Sequence, residues 1–145
     1  MKSVIFLRIA SVLTLLHAVL HTIGGVFGKP DPGVQAATVL VMKTNQFLLM
    51  GATRSYWDFY LGMGLCVSIF LTVEALVFWL LGSLAKTHGR ELRPILAAFA
   101  VGYLALAVNS HEFFFSGPVV VEIIIVLCLG MAIFAATPGQ SSVRS

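Results

Sequence analysis

The chain has 145 residues, of which 59% are hydrophobic and 10% are charged, and its mean hydropathy is +0.98. A typical soluble domain carries about 25% charged residues, so this composition excludes an ordinary water-soluble protein and predicts a membrane protein. The formal net charge is +3. Because the basic residues flank the apolar segments, we interpret this charge as a signal for membrane orientation and do not predict nucleic-acid binding.

Four apolar segments are long enough to cross the hydrocarbon core of a lipid bilayer, which takes about 20 helical residues. Backbone polar groups find no water in hydrocarbon, so each segment is predicted to be an α-helix that satisfies them internally. The predicted helices cover residues 4–27, 59–84, 92–108 and 118–136. We therefore predict an all-α fold, a four-transmembrane-helix bundle in a single domain over residues 1–136. Residues 137–145 are polar and are predicted to be a disordered tail.

The first predicted helix carries a pair of histidines, His17 and His21, one helical turn apart. Its start resembles a signal peptide, but Arg8 interrupts the apolar stretch and no small-residue cleavage site follows. We therefore expect this helix to be retained. The two histidines share a stripe with Thr14 and two glycines, and this stripe is predicted to face the interior of the bundle.

The longest connection lies between the first two predicted helices and opens with Pro30 and Pro32, which end the helix before them. Residues 34–50 are too short and too polar to span a membrane, yet too apolar for a loop in water. We predict an interfacial helix that covers the outer end of the bundle as a lid, with a short hairpin as the alternative. Trp57 belongs to an aromatic cluster that follows, at the depth where tryptophan and tyrosine suit lipid headgroups.

The second predicted helix contains two acidic residues that we interpret differently. Asp58 lies at the outer start, where an aspartate also caps free backbone N–H groups. Glu74 lies about 24 Å deeper and on another face of the helix. We expect Glu74 to pair with Arg8, with a protonated Glu74 and an Arg8 that snorkels toward water as the alternative.

Polar residues from all four predicted helices converge at one level near the outer leaflet. A seam of small residues on the third helix, Ala98, Gly102 and Ala105, leads toward this level. Ionisable residues inside a membrane are costly and rare, so each is a candidate functional residue. The candidate ligand-binding residues are His17, His21, Trp57, Asp58, Asn109, His111, Glu112 and Glu122. We interpret them as a polar pocket under the lid.

Metal binding is one hypothesis for this pocket. Two histidines four residues apart on one helix face can chelate a single ion, and a third histidine with a carboxylate completes a nitrogen and oxygen ligand set. The predicted ligands of a divalent metal are His17, His21 and His111. The alternative is that the histidines are neutral and form hydrogen bonds to neighbouring helices.

Three interpretations of the function stay open. The first is binding of a small hydrophobic or redox ligand such as a quinone, with or without a metal. The second is an enzyme that performs acid–base chemistry on a lipid-soluble substrate, with a histidine or Glu122 as the base. The third is a non-catalytic accessory subunit of a larger membrane complex, whose polar cluster holds the helices in register. The candidate protein partners are further copies of the chain, in a homo-oligomer, or the other subunits of such a complex.

The distribution of basic residues predicts the orientation in the membrane. An even number of membrane crossings places both termini on the same side. Basic residues on that side are Lys2, Arg8, Lys86, Arg90, Arg93 and Arg144, and those on the other side are Lys29, Lys43 and Arg54. Because cytoplasmic loops carry an excess of lysine and arginine, both termini are predicted to be cytoplasmic.

Three short motifs carry a resemblance to a known family. They read HTIGG at residues 21–25, SYWDFYLGMGL at residues 55–65 and HEFFFSGP at residues 111–118. With these motifs and its hydropathy, the chain resembles small four-helix bacterial membrane proteins of a DoxX-like kind. The resemblance implies a four-helix bundle in the bacterial inner membrane that is linked to redox or quinone metabolism. It implies no catalytic residues.

Overall fold

The computed structural model describes residues 2–136, and the predicted tail over residues 137–145 lies outside them. The described α-helices are α1 (Lys2–Leu20), α2 (Val34–Thr44), α3 (Tyr56–His88), α4 (Arg93–Phe113) and α5 (Ser116–Phe134). A π-helical stretch, His21–Val26, continues α1, and the two short strands are β1 (Gln46–Leu49) and β2 (Ala52–Ser55). This architecture confirms the predicted all-α fold class.

Four of the described helices are long and apolar enough to cross a membrane. They are Lys2–Val26, which joins α1 to the π-helical stretch, Tyr56–His88, Arg93–Phe113 and Ser116–Phe134. The chain is therefore a multi-pass membrane protein, as its composition predicts. The observed helices extend beyond several of the predicted ends, because polar residues at the ends of an apolar segment can continue the helix outside the hydrocarbon.

The end of helix α4 differs from the prediction at a place where three candidate ligand-binding residues lie. The sequence predicts a helix over residues 92–108, whereas in the structure α4 continues to Phe113. No glycine or proline follows residue 108 before that point, so nothing in the sequence interrupts backbone hydrogen bonding. Asn109, His111 and Glu112 therefore lie on the last turns of a helix and not in a loop.

The described chain forms two compact units. The core unit comprises the chain up to His17 together with the chain from Leu71 onward, and the hairpin unit comprises Ala18–Phe70. In the core unit, segments of α1, α3, α4 and α5 bury a common apolar core. Its buried residues are Leu7, Ala10, Phe78, Leu92, Leu96, Tyr103, Ile125, Cys128, Leu129 and Ala132. Because lipid is as apolar as these side chains, close packing and polar contacts hold the helices together.

Arg8 and Glu74 have other partners than the predicted ion pair. Arg8 Nη2 donates a hydrogen bond to Ser83 Oγ at 2.8 Å, and its guanidinium lies 3.5 Å from the centre of the Trp79 ring. Glu74 accepts a hydrogen bond from Tyr103 instead. The predicted ion pair is wrong because Arg8 finds both an acceptor and an aromatic face on α3, while Glu74 is bonded to α4.

The predicted interfacial segment over residues 34–50 divides into a helix and a hairpin. Helix α2 ends where Asn45 Nδ2 donates to the carbonyl oxygen of Val41 at 2.8 Å. Strands β1 and β2 then pair antiparallel around Met50 and Gly51, whose φ angles are 50° and 86°. Positive φ angles at both central residues are what a two-residue hairpin turn of type I′ requires. The predicted helix and the alternative hairpin are thus both present in succession, and the role as a lid stays a prediction.

Candidate functional site

A chain of hydrogen bonds links three helices inside the core unit. The Tyr103 hydroxyl donates to Glu74 Oε2 at 2.7 Å and lies 3.3 Å from Thr14 Oγ1. A phenol has one proton, and that proton is given to Glu74, so the Thr14 hydroxyl is the donor in the second contact. Thr14 is 0% and Tyr103 is 1% exposed. The result is a directed network, Thr14 to Tyr103 to Glu74, which runs from α1 through α4 to α3.

This network lies near the middle of the membrane-spanning helices. Thr14 is central in Lys2–Val26, and Tyr103 is central in Arg93–Phe113. Glu74 is likewise far from both ends of its own helix. In a bilayer the middle of a spanning helix is the position farthest from water. An ionisable residue at that depth is a functional-site hypothesis by default.

Glu74 and Tyr103 line a groove on the surface of the core unit. The groove has a volume of ≈ 400 Å³, and its other lining residues are Ala98, Phe99, Gly102 and Leu106. Ala98 and Gly102 belong to the predicted small-residue seam of α4, and a Cβ added at Gly102 would meet no other atom within 4 Å. The missing side chain at Gly102 therefore keeps the groove open. Since Gly102 and Leu106 are exposed, the groove opens sideways, at the depth of the lipid.

Glu122 takes part in a second buried polar contact of the core unit. Its Oε1 accepts a hydrogen bond from Ser110 Oγ at 2.9 Å, and the residue is 3% exposed. Its Oε2 is also buried and has no hydrogen-bond partner among residues 2–136. The sequence alone thus identifies Glu122 as a polar residue in an apolar segment. It does not identify Ser110 as the hydrogen-bond partner of Glu122.

The other candidates at the outer end of α4 lie on its surface. Asn109, His111 and Glu112 are all exposed. The buried partner of Glu122 is Ser110, which sits between Asn109 and His111 in the sequence but on a different face of the helix. These three side chains therefore do not share the buried surroundings of Glu122 in the described structure. A role for them in ligand binding stays a prediction.

His21 opens the π-helical stretch and bonds to the backbone of α3. Its Nε2 lies 3.2 Å from the carbonyl oxygen of Gly64. A carbonyl oxygen only accepts, so Nε2 carries the proton and donates. Beside it, Thr22 Oγ1 donates to Ser68 Oγ at 2.8 Å, and a Cβ at Gly64 would lie 2.9 Å from Val26 Cγ2. These contacts give His21 a structural role in joining the π-helical stretch to α3.

The predicted metal ligands are distributed over both units. His17 is half-buried and belongs to the core unit with the exposed His111, whereas His21 belongs to the hairpin unit. Within residues 2–136, no three His, Cys, Asp or Glu side chains form a group that could hold a metal ion. The metal site at these histidines gains no support from the described residues and stays a prediction.

Asp58 caps the start of α3. Its Oδ2 accepts hydrogen bonds from the Ser55 backbone N–H at 2.7 Å and from Ser55 Oγ at 2.9 Å, while Ser55 Oγ accepts from the Asp58 N–H at 3.3 Å. This reciprocal arrangement is a capping box, which confirms the capping interpretation of Asp58.

Trp57 stacks on Tyr60 with ring centres 5.2 Å apart, and Lys43 Nζ lies 4.5 Å from the centre of the Trp57 ring. Ligand binding by Trp57 stays a prediction.

Sequence reasoning missed Tyr103 and Ser110, the hydroxyl residues that donate hydrogen bonds to Glu74 and Glu122. Neither carries a charge at neutral pH, so a search for charged residues and histidines inside the apolar segments passes over both. A helical signal is nevertheless present, because Tyr103, Ala107 and Ser110 recur at the spacing that defines one helix face. All three are buried. A search for hydroxyl residues on the predicted core face of each helix would have found them.

Comparison of the chain with protein-family models, with curated proteins and with solved structures finds no match. The candidate site is therefore interpreted from its own geometry. A carboxyl group at the floor of an otherwise apolar groove, bonded to the buried Tyr103 hydroxyl, offers hydrogen bonds to a polar head group, and the remaining walls suit an apolar ring or chain.

Proposed function

We propose that this protein binds a small lipid-soluble molecule with a polar head group, of the quinone class, in the groove formed by Glu74, Tyr103 and Gly102. The observation that carries the proposal is the hydrogen-bonded pair of Tyr103 and Glu74 at the floor of a groove that opens toward lipid. The proposal moves the predicted ligand site from the outer leaflet to the middle of the helices.

The free energy of placing Glu74 in the membrane supports a role beyond structure. An acidic residue at the centre of a membrane helix costs about 3 kcal/mol on insertion scales. A hydrogen bond inside the membrane returns about 0.6 kcal/mol on average. Among residues 2–136, Tyr103 is the one hydrogen-bond partner of Glu74. A single bond of this kind offsets only a fraction of the cost. Hydrogen bonding of the carboxyl group to a ligand would account for an acidic residue at this depth.

The size and the open side of the groove fit a ring with a tail. A volume of ≈ 400 Å³ is in the range of small-molecule sites. The open side lets a long apolar tail remain in the lipid. A quinone carbonyl only accepts, so it would pair with a protonated Glu74, whereas a quinol hydroxyl can donate to Glu74 in either protonation state.

Equilibrium binding of decylubiquinone and its reduced quinol to the full chain in lipid nanodiscs tests the proposal. Replacing Gly102 with leucine fills the groove without meeting a neighbouring atom at Cβ, and we expect it to weaken binding at least tenfold. Gly130→Leu is the matched control, because Gly130 lies on α5, outside the groove, and also has open space at Cβ. Its binding should equal that of the wild type.

Substitutions at Glu74 separate hydrogen bonding from shape. Glu74→Gln keeps one donor and one acceptor and should retain binding, whereas Glu74→Leu removes both and should weaken it about three- to tenfold, as expected for one lost hydrogen bond. The retained fold is checked by circular dichroism and size-exclusion chromatography. Equal binding by the wild type, Gly102→Leu and Glu74→Leu would overturn the proposal and favour the accessory-subunit interpretation.

We further propose that the protein lies in a bacterial inner membrane with both termini in the cytoplasm, as the DoxX-like resemblance implies. Support comes from the excess of basic residues where α3 ends and α4 begins. In a chain with Cys66 and Cys128 replaced by alanine, Ser116→Cys at the start of α5 should react with an impermeant thiol reagent added to the periplasm. Reaction from the cytoplasmic side alone would reverse the orientation.

A further inference from the structure

A second groove lies in the core unit, where α1 begins and α5 ends. Its volume is ≈ 550 Å³. Apolar side chains form its walls, with Lys2 as the one charged residue among the described lining residues. The lining residues are Lys2, Ile5, Phe6, Met131, Phe134 and Ala135. This groove shares no lining residue with the groove at Glu74 and Tyr103, so its role is independent of the proposed function.

Two basic groups accompany this groove. Lys2 is exposed and contributes to its lining. Arg93 Nη2 donates to the carbonyl oxygen of Ala136 at 2.9 Å, next to the lining residue Ala135. The Nε–H of Arg93 is buried and has no acceptor among residues 2–136. The nearest acidic residue in the sequence, Glu91, is exposed in the turn before α4. Lys2 therefore gives the groove a positive charge, and Arg93 adds a second one beside it, at the residue that follows the lining residue Ala135.

We propose that this groove binds one anionic phospholipid, with an acyl chain along the apolar walls and the phosphate between Lys2 and Arg93. The pairing of an apolar channel with cations at its end matches a molecule that has an apolar chain and an anionic head. Basic pockets at the ends of membrane helices recognise anionic lipid head groups in this way. Apolar walls alone would also suit a second copy of a spanning helix, whereas the two cations favour an occupant with an anionic head group.

Native mass spectrometry of the full chain in a non-ionic detergent measures this binding. The probes are phosphatidylglycerol and phosphatidylcholine with identical acyl chains, titrated separately. We expect phosphatidylglycerol to bind as one tight copy, at least tenfold more strongly than phosphatidylcholine. Lys2→Gln should weaken the binding of phosphatidylglycerol about fivefold, the effect of one basic residue near an anionic membrane surface.

Control variants separate a specific site from general surface charge. Lys86→Gln removes a positive charge at the end of α3, outside the groove, and should leave binding unchanged. Ala135→Leu keeps every charge but narrows the groove, and should weaken binding as Lys2→Gln does. Arg93→Lys keeps the charge but lacks the planar set of donors, so a partial loss is expected.

Three results would overturn this proposal. Equal binding of the two lipids would remove the role of the phosphate charge. An equal loss in Lys86→Gln and Lys2→Gln would indicate diffuse attraction by the basic end of the molecule. Full competition by glycerol 3-phosphate, which has no acyl chain, would indicate a site for free phosphate groups and not for a lipid.

Discussion

Polar side chains serve different purposes in the interior of the core unit and in the segment over residues 34–58. In the core unit, Tyr103 and Glu74 bond across two helices, and both Ser110 and Glu122 are buried. In residues 34–58, the polar side chains mostly bond three or four residues away, to the backbone or to a cap, as Asn45 does. The difference teaches that polar side chains in the interior of the core unit connect neighbouring helices, whereas those over residues 34–58 mostly complete local backbone structure.

Tyr103→Phe should have the largest effect on stability. Removing the hydroxyl leaves both Thr14 and Glu74 without their partner, in a place that water does not reach. We expect the free energy of unfolding to fall by about 1–3 kcal/mol, the cost of unsatisfied buried polar groups. It is measured by titrating the protein from a mild detergent into sodium dodecyl sulfate. An unchanged value would mean that the contacts across helices contribute no more than local ones.

Ser55→Ala should have an intermediate effect. This substitution removes the side-chain half of the capping box at the start of α3, and losing such a cap costs about 1 kcal/mol. Because the contact is local, we expect decylubiquinone binding to stay unchanged. Hydrogen exchange of the amides in the first turn of α3 should rise in the same variant. A weaker affinity for decylubiquinone would show that the segment over residues 34–58 is energetically coupled to the core unit. The contact at Ser55 would then not be purely local in its effect.

Thr14→Val should have the smallest effect of the three. Valine has the same shape as threonine, and Tyr103 keeps its bond to Glu74, so no donor is left unsatisfied. The expected loss is about 0.6 kcal/mol, the average for a hydrogen bond inside a membrane. Thr38→Val is the matched control, because the Thr38 hydroxyl donates to Val34 of its own helix and is exposed. If Thr38→Val lost more unfolding free energy than Thr14→Val, the local contact would stabilise the protein more than the contact between helices.

The four spanning helices could be predicted because each needs a long apolar segment, which the sequence shows directly. The end of α4 at Phe113 could not, since Asn109, His111 and Glu112 are as compatible with a helix that leaves the hydrocarbon as with a loop. The hairpin was predicted only as an alternative. Gly51 suits the positive φ of its turn, but Met50 gives no sign of the same conformation.

The candidate site was harder to predict than the fold, because its contacts depend on how neighbouring helices are rotated. Glu74 stands out by its charge, yet hydropathy does not show whether it meets Arg8 or an uncharged residue such as Tyr103. The same holds for Glu122, whose partner Ser110 differs from Asn109 by one step along α4. One residue changes the direction of a helical side chain by about 100°, which decides between the interior and the surface.

The sideways opening of the groove beside Gly102 has a consequence for how the site would fill. A molecule that enters from the bilayer never crosses water, so its encounter with the protein is a two-dimensional search among lipids. Occupancy then follows the mole fraction of the molecule in the bilayer and not its aqueous concentration. Diluting the membrane with inert lipid would empty the site even when the total amount of ligand in the sample is constant.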